Sequence, residues 1–130
     1  MIHLIAIAIP PTGNHRLMPI CMGGRGRLVK SPKFRKWEKE TGEDIRGRTD
    51  PIEDKDLFVR ITLRWPDKRK RDIDGPVKSL LDLVVREKFI LDDSLISRLE
   101  VVRYKPDEHD LMPGTCDIFI QSMKDYRCPF

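Results

Sequence analysis

Residues 71–78 read RDIDGPVK. Two aspartates one residue apart, Asp72 and Asp74, stand directly behind the basic run Lys68, Arg69, Lys70 and Arg71, and Lys78 lies four residues beyond the second. Carboxylates this close repel, and each raises the other's pKa unless a cation lies between them. Hard divalent ions such as magnesium prefer oxygen ligands, keep several waters, and are usually held by one or two carboxylates together with substrate phosphate. The aspartate pair supplies that donor set. If residues 71–74 are extended, both carboxylates project to one side, and Lys78, one helical turn on, leans back toward them. Asp92 and Asp93 stand where the chain returns from the helix toward the sheet, so either is a candidate third carboxylate. Each piece also has a simpler use: Asp74 as a helix N-cap, Lys78 as the i,i+4 partner of Asp74 or Asp82, Asp92-Asp93 as a turn. D-x-D alone is a weak pattern. Its place behind a tetrabasic turn is what points to metal-assisted phosphate chemistry.

The elements that must position these groups follow from hydrophobic periods. In LFVRITLRW, residues 57–65, Leu57, Val59, Ile61, Leu63 and Trp65 alternate with Phe58, Arg60, Thr62 and Arg64, the period of a half-buried strand. Val77, Leu80, Leu81 and Val84 recur at helical spacing and predict a helix over 75–88, opened by Asp74 and Pro76. Strands are expected at 98–104 and 116–122, and HLIAIAI (3–9), apolar on both faces, suits a buried strand ended by Pro10-Pro11. A loop to about Val29 follows. Ser31-Pro32 then provides an N-cap and first-turn proline for a helix carrying Phe34 and Trp37, with Gly42 or Gly47 as its stop. Strand, helix and strand within about 45 residues is the length of a crossover, and the last two strands are expected to pair as a hairpin. The fold class expected is α+β: a single domain over residues 1–130, with a mixed β-sheet and helices packed on one face.

Composition narrows the function classes. A chain that is 39% hydrophobic and 35% charged folds in water and carries a heavily charged surface. The apolar opening LIAIAI is too short to span a bilayer and lacks a basic flank, so no membrane association is expected and the location expected is cytoplasmic. Cys21, Cys116 and Cys128 are odd in number and His3, His15 and His109 are scattered, which argues against a disulfide framework and against a zinc site. Residues 1–37 hold seven Lys/Arg and no acid, leaving 18 Lys/Arg against 21 Asp/Glu in the remainder. All of the positive excess is therefore in the first third, around Gly23, Gly24 and Gly26. Such a stretch reads either as a solvated loop or as a segment that lies along a phosphate backbone.

The stretch Trp65 to Tyr104, WPDKRKRDIDGPVKSLLDLVVREKFILDDSLISRLEVVRY, resembles the core of the RusA family of Holliday junction resolvases. The matching pattern is a basic run, R-D-x-D, a lysine four residues after the second aspartate, an aspartate further along the helix, and D-D-x-x-I before the next strand. Here these are Arg71, Asp72, Asp74, Lys78, Asp82, Asp92, Asp93 and Ile96. IAIPPTGNHR and GRGR are also similar to the family's opening strand and basic loop, so the resemblance spans most of the chain apart from 42–56 and the last residues. Two departures stand out: many relatives place Asn where this chain has Gly75-Pro76, and the helix after Ser31 reads as shorter and more broken by glycine.

The resemblance implies magnesium-dependent cleavage of DNA at four-way junctions, with Asp72, Asp74 and Asp93 on the metal. Lys78 would orient the attacking water or steady charge on the phosphate. It further implies a homodimer, a bacterial and possibly phage or prophage origin, and phosphate contacts from Arg25, Arg27, Lys68, Arg69, Lys70 and Arg71. Three rival readings stay open at this point. In the first, the basic segment binds nucleic acid without catalysis. In the second, the carboxylate pair hydrolyses a sugar, although Asp72 and Asp74 are too near in sequence to flank one comfortably. In the third, a metal nuclease prefers flaps, forks or duplex to junctions.

Overall fold

Alternation of Leu57, Val59, Ile61 and Leu63 with Arg60, Thr62 and Arg64 sets the plan of the molecule, whose computed structural model describes residues 1–104 and 112–127. His109, Pro106, Cys128 and the end of the C-terminal tail lie outside the described residues. The strands are β1 (Ile2–Ala8), β2 (Leu17–Met22), β3 (Arg25–Lys30), β4 (Leu57–Arg64), β5 (Ile96–Tyr104) and β6 (Thr115–Ser122), and the helices α1 (Pro32–Ile45) and α2 (Val77–Arg86). Four strands form one mixed sheet in the order β1-β6-β4-β5, in which β6 is antiparallel to both neighbours and β5 is parallel to β4. The alternating residues of β4 are fully buried and meet Ile118, Ile120, Ile2 and Leu4 from the neighbouring strands, and both helices close over that face with Phe34, Trp37, Ile45, Leu80, Leu83 and Val84. The fold is α+β, as the sequence predicts. Each fully buried Leu or Ile contributes about 2 kcal/mol by leaving water, so this one cluster dominates stability. No helix among the described residues is long and apolar enough to cross a membrane.

Local signals account for most boundaries. Ser31 Oγ accepts from the Phe34 N–H at 3.1 Å, the expected N-cap with Pro32 in the first turn. Helix α1 passes through Gly42 and ends before Gly47, which takes φ 75°. Gly42 is kept small by packing: a Cβ there would lie 2.7 Å from Glu87 Oε1, whose carboxylate is held by Arg46 at 2.8 and 3.1 Å.

Four expectations are corrected. Residues 17–30 are a β-hairpin, not a loop, turned at Gly23 (φ 58°) and Gly24 (φ 75°), a pair suited to a two-residue hairpin connection. Strand β1 is a sheet edge with a bulge between Leu4 and Ile7, so Ile5 is 51% exposed rather than buried on both faces. Strand β6 does not pair with β5; it lies between β1 and β4, because β5 follows its crossover to the far edge of β4. Finally, α2 starts at Val77 with no side-chain cap, and Asp74 serves the turn through its carbonyl, which accepts from the Val77 N–H at 3.1 Å.

An ion pair fastens three strands at one end of the sheet. Arg64 at the end of β4 grips Asp117 of β6 at 2.6 and 2.9 Å, and Asp117 Oδ1 also accepts from the Ala6 N–H in the β1 bulge at 2.9 Å. Burial pushes the Asp117 carboxyl up, but the hydrogen bonds from Arg64 and Ala6 outweigh it and hold the group below its ordinary value. A carboxylate with a depressed folded pKa adds stability above its unfolded pKa, near 3.9, and loses it as pH falls through the folded value. Asp117→Asn is therefore expected to cost about 2 kcal/mol in denaturant titrations at pH 7, with the deficit against wild type shrinking below about pH 4. An equal deficit at pH 7 and pH 2 would contradict this account.

Candidate functional site

Just beyond β4 the chain builds a turn around Asp67. Its carboxylate accepts from Arg71 at 2.6 and 3.1 Å and from the Arg69 N–H at 2.9 Å, and the Arg71 hydrogen bonds lead in holding its pKa down to about 2. The Arg71 guanidinium also lies over the Trp65 ring, 5.1 Å from its centroid, and Arg103 of β5 donates to the Arg71 carbonyl at 3.3 Å. Arg71 is thus built into the turn, and Arg69 reaches Asp67 only loosely at 3.9 Å. Lys68 and Lys70 are exposed and have no partner among the described residues. The basic run is half scaffold and half open charge.

Asp72 and Asp74 follow in a tight turn rather than an extended segment: the Gly75 N–H donates to the Asp72 carbonyl at 3.3 Å. Thr12, from the loop after β1, packs against this turn, since a Cβ on Gly75 would meet Thr12 Cγ2 at 3.4 Å. The turn borders a cavity of about 260 Å³ whose walls include Thr12, His15, Trp65 and Arg71. These walls were missed in the sequence because β1 and β4 are parallel across β6, so the loops after both emerge at the same sheet end; only Pro10-Pro11, closing β1, hinted at it. Both carboxylates are exposed, and of the acids from Asp67 to Asp93 they alone lack an ion-pair or side-chain hydrogen-bond partner among the described residues.

Of the two i,i+4 partners that the spacing offers, Lys78 takes Asp82 and not Asp74. Its Nζ lies 3.0 Å from Asp93 Oδ2 and 3.0 Å from Asp82 Oδ1, not on Asp74. The hydrogen bond to Asp93, then that to Asp82, raises the Lys78 pKa, so the ammonium stays protonated across the neutral range. The two neighbouring acids separate in role: Asp93 takes Lys78, whereas Asp92 accepts from Ser94 Oγ at 2.7 Å, which leads in lowering its pKa. Lys78 and Asp93 are therefore brought together, while no three His, Cys, Asp or Glu among the described residues group closely enough to hold a metal. The donors nevertheless fit a hard divalent cation in kind, being carboxylate oxygens, two of them unpaired and open to solvent.

Arg25 and Arg27 stand exposed on β3, unpaired among the described residues. The hairpin holds them out as a rigid strand rather than on a loose loop.

No family model matches the chain. Among curated proteins it is similar to the crossover junction endodeoxyribonuclease RusA of Aquifex aeolicus, 38% identical over 82 residues that cover 60% of this chain and 63% of that protein. It is also similar to the RusA crossover junction endodeoxyribonuclease of Enterobacteria phage HK97, 31% identical over 74 residues that cover 56% of this chain and 62% of that protein. The similarity thus spans under two thirds of each relative, and less of this chain than the resemblance read along nearly all of it. The R-D-x-D turn, the following lysine and the Asp92-Asp93 segment are all present on this α+β frame, and the chain is similar to RusA endonucleases over a little under two thirds of their length.

Proposed function

We propose that the protein is a magnesium-dependent endodeoxyribonuclease that resolves Holliday junctions by paired symmetric nicks. The observation that carries the reading is the exposed, unpartnered Asp72 and Asp74 couple in a turn that follows open lysines, in a segment where every other acid has an ion-pair or side-chain hydrogen-bond partner among the described residues. Its similarity to two RusA endonucleases supplies the substrate class. Asp72 and Asp74 would hold the cation together with a DNA phosphate, and Asp93, which pairs with Lys78, would be its third carboxylate. When bound, magnesium supplies Lewis acidity at the phosphoryl oxygen and lowers the pKa of a water.

The chain's own part is electrostatic. Lys78, kept protonated by Asp93 and Asp82, does not act as a base near neutral pH; it donates to oxygen and offsets charge that builds on the phosphate. Lys68, Lys70, Arg25 and Arg27 meet the sugar-phosphate backbone without reading sequence. Arg71 and Arg69 shape the turn that carries them.

Two opposed nicks in a junction of approximate two-fold symmetry call for two active sites, which a C2 homodimer provides. The nine-residue strand β5 supports such pairing, because it is an open sheet edge exposing Leu99 and Val102, each about two fifths accessible. We place this activity in the cytoplasm of a bacterial cell, where branched DNA of host or phage arises.

Asp93→Asn is expected to lower magnesium-dependent cleavage of a synthetic four-way junction by roughly 10²-fold or more, while binding measured in calcium persists; undiminished cleavage would remove Asp93 from the site. Given a mobile junction, a fork and a linear duplex of matched sequence, the wild-type protein is expected to cut the junction preferentially and to stop when EDTA is added. Equal cutting of the duplex would replace the junction reading with that of a general metal nuclease, and cutting in EDTA would remove the metal.

A further inference from the structure

Between the hairpin and the two helices lies a second cavity, of about 530 Å³, lined by Arg16, Lys30, Phe34, Glu38, Asp82 and Arg86. The hairpin register sets its near wall: Leu17 pairs with Lys30, and the Ser31 N–H donates to the Arg16 carbonyl at 2.9 Å, so Arg16 and Lys30 sit side by side at the hairpin base. Both cations lie over the Phe34 ring, at 5.5 and 5.7 Å from its centroid. Glu38 neutralises Lys30 at 2.9 Å and Arg86 at 2.8 Å, and Asp82 is taken by Lys78.

Arg16 is left over. Its guanidinium has no ion pair and no hydrogen bond among the described residues, and its Nε is shut away from solvent without an acceptor. A shielded donor of this kind is costly to leave unmet, and the planar guanidinium fork matches a phosphate held by two parallel bonds. The cavity also borders the proposed active site. Lys78, Asp82 and Arg86 form one stripe of α2 at four-residue spacing, and their eight-residue separation is about 12 Å of helix, a few nucleotides along one strand.

We propose that this cavity is a backbone subsite. It seats a phosphate of the DNA strand a few nucleotides from the one that is cut, with Arg16 as the two-bonded donor, supported by the one net positive charge that a single Glu38 carboxylate leaves between Lys30 and Arg86. The inference rests on the nuclease reading for its substrate, but its test is a binding measurement that stands apart from cleavage. A fluorescent four-way junction is titrated in calcium by anisotropy at several salt concentrations, with wild type, Arg16→Gln, Arg16→Lys and Lys30→Gln. Arg16→Gln is expected to weaken binding about tenfold and to reduce the slope of log affinity against log salt by about one. Arg16→Lys is expected to restore the slope but not the full affinity, which a purely structural Arg16 would not do. Should Arg16→Gln fail to fold, the exposed Lys30 gives the same readout through Lys30→Gln. Wild-type affinity and slope in these variants, from a protein that cuts junctions, overturn the subsite and leave the nuclease reading standing. A lowered slope in a protein that never cuts sustains the subsite and overturns the nuclease reading.

Discussion

Everything near the candidate site hangs from one corner of the sheet, where the half-buried Arg64 guanidinium holds Asp117 and, through it, the bulged backbone of β1. The Gly114 N–H donates to the Arg64 carbonyl at 2.7 Å, the Ile9 N–H donates to the Gly114 carbonyl at 3.1 Å, and the Trp37 indole donates to the Ala8 carbonyl at 2.7 Å. Of these bonds those between Arg64 and Asp117 are charge-assisted, and removing either partner there costs far more than losing a neutral bond. The loops that leave β1 and β4 both start from this corner. Thr12 can therefore press on Gly75, and the Asp72–Asp74 turn inherits a rigid base.

Beyond that base the chemistry is a matter of which charges are already spent. Asp67 holds Arg71 against Trp65, Asp93 and Asp82 share Lys78, and Glu38 ties Lys30 to Arg86. Such exposed pairs add little to stability singly. Their effect is to sort the surface, because Asp72 and Asp74 keep carboxylates available to a cation while Arg16, Arg25, Arg27, Lys68 and Lys70 keep positive charge available to phosphate. A backbone polyanion and a hard cation are the ligands that this division suits.

The hairpin gives that surface its shape. Strand β3 is exposed at nearly every residue, so it is held by its ladder with β2 and by the Gly23-Gly24 turn rather than by a core. Because the hairpin base sits beside Phe34 of α1, the early basic segment and the stripe along α2 flank one cavity, and cations distant in sequence line it together.

What the sequence by itself determined was local. The period of two in residues 57–65, the helical recurrence of Leu80 and Val84 and the Ser31-Pro32 cap all depend on neighbours a few residues apart, and the structure keeps each of them. The hairpin was illegible because β3 is exposed almost throughout and neither strand carries hydrophobic alternation, and the central place of β6 because strand order is settled by which buried faces match across the sheet. Only the tertiary structure decided that Lys78 turns to Asp93 and away from Asp74, that Arg71 is scaffold, and that Arg16 lacks a partner. A side chain's charge is written in the chain, but its counter-charge arrives from another segment, and the crossover geometry and hairpin register determine which one comes within 3 Å.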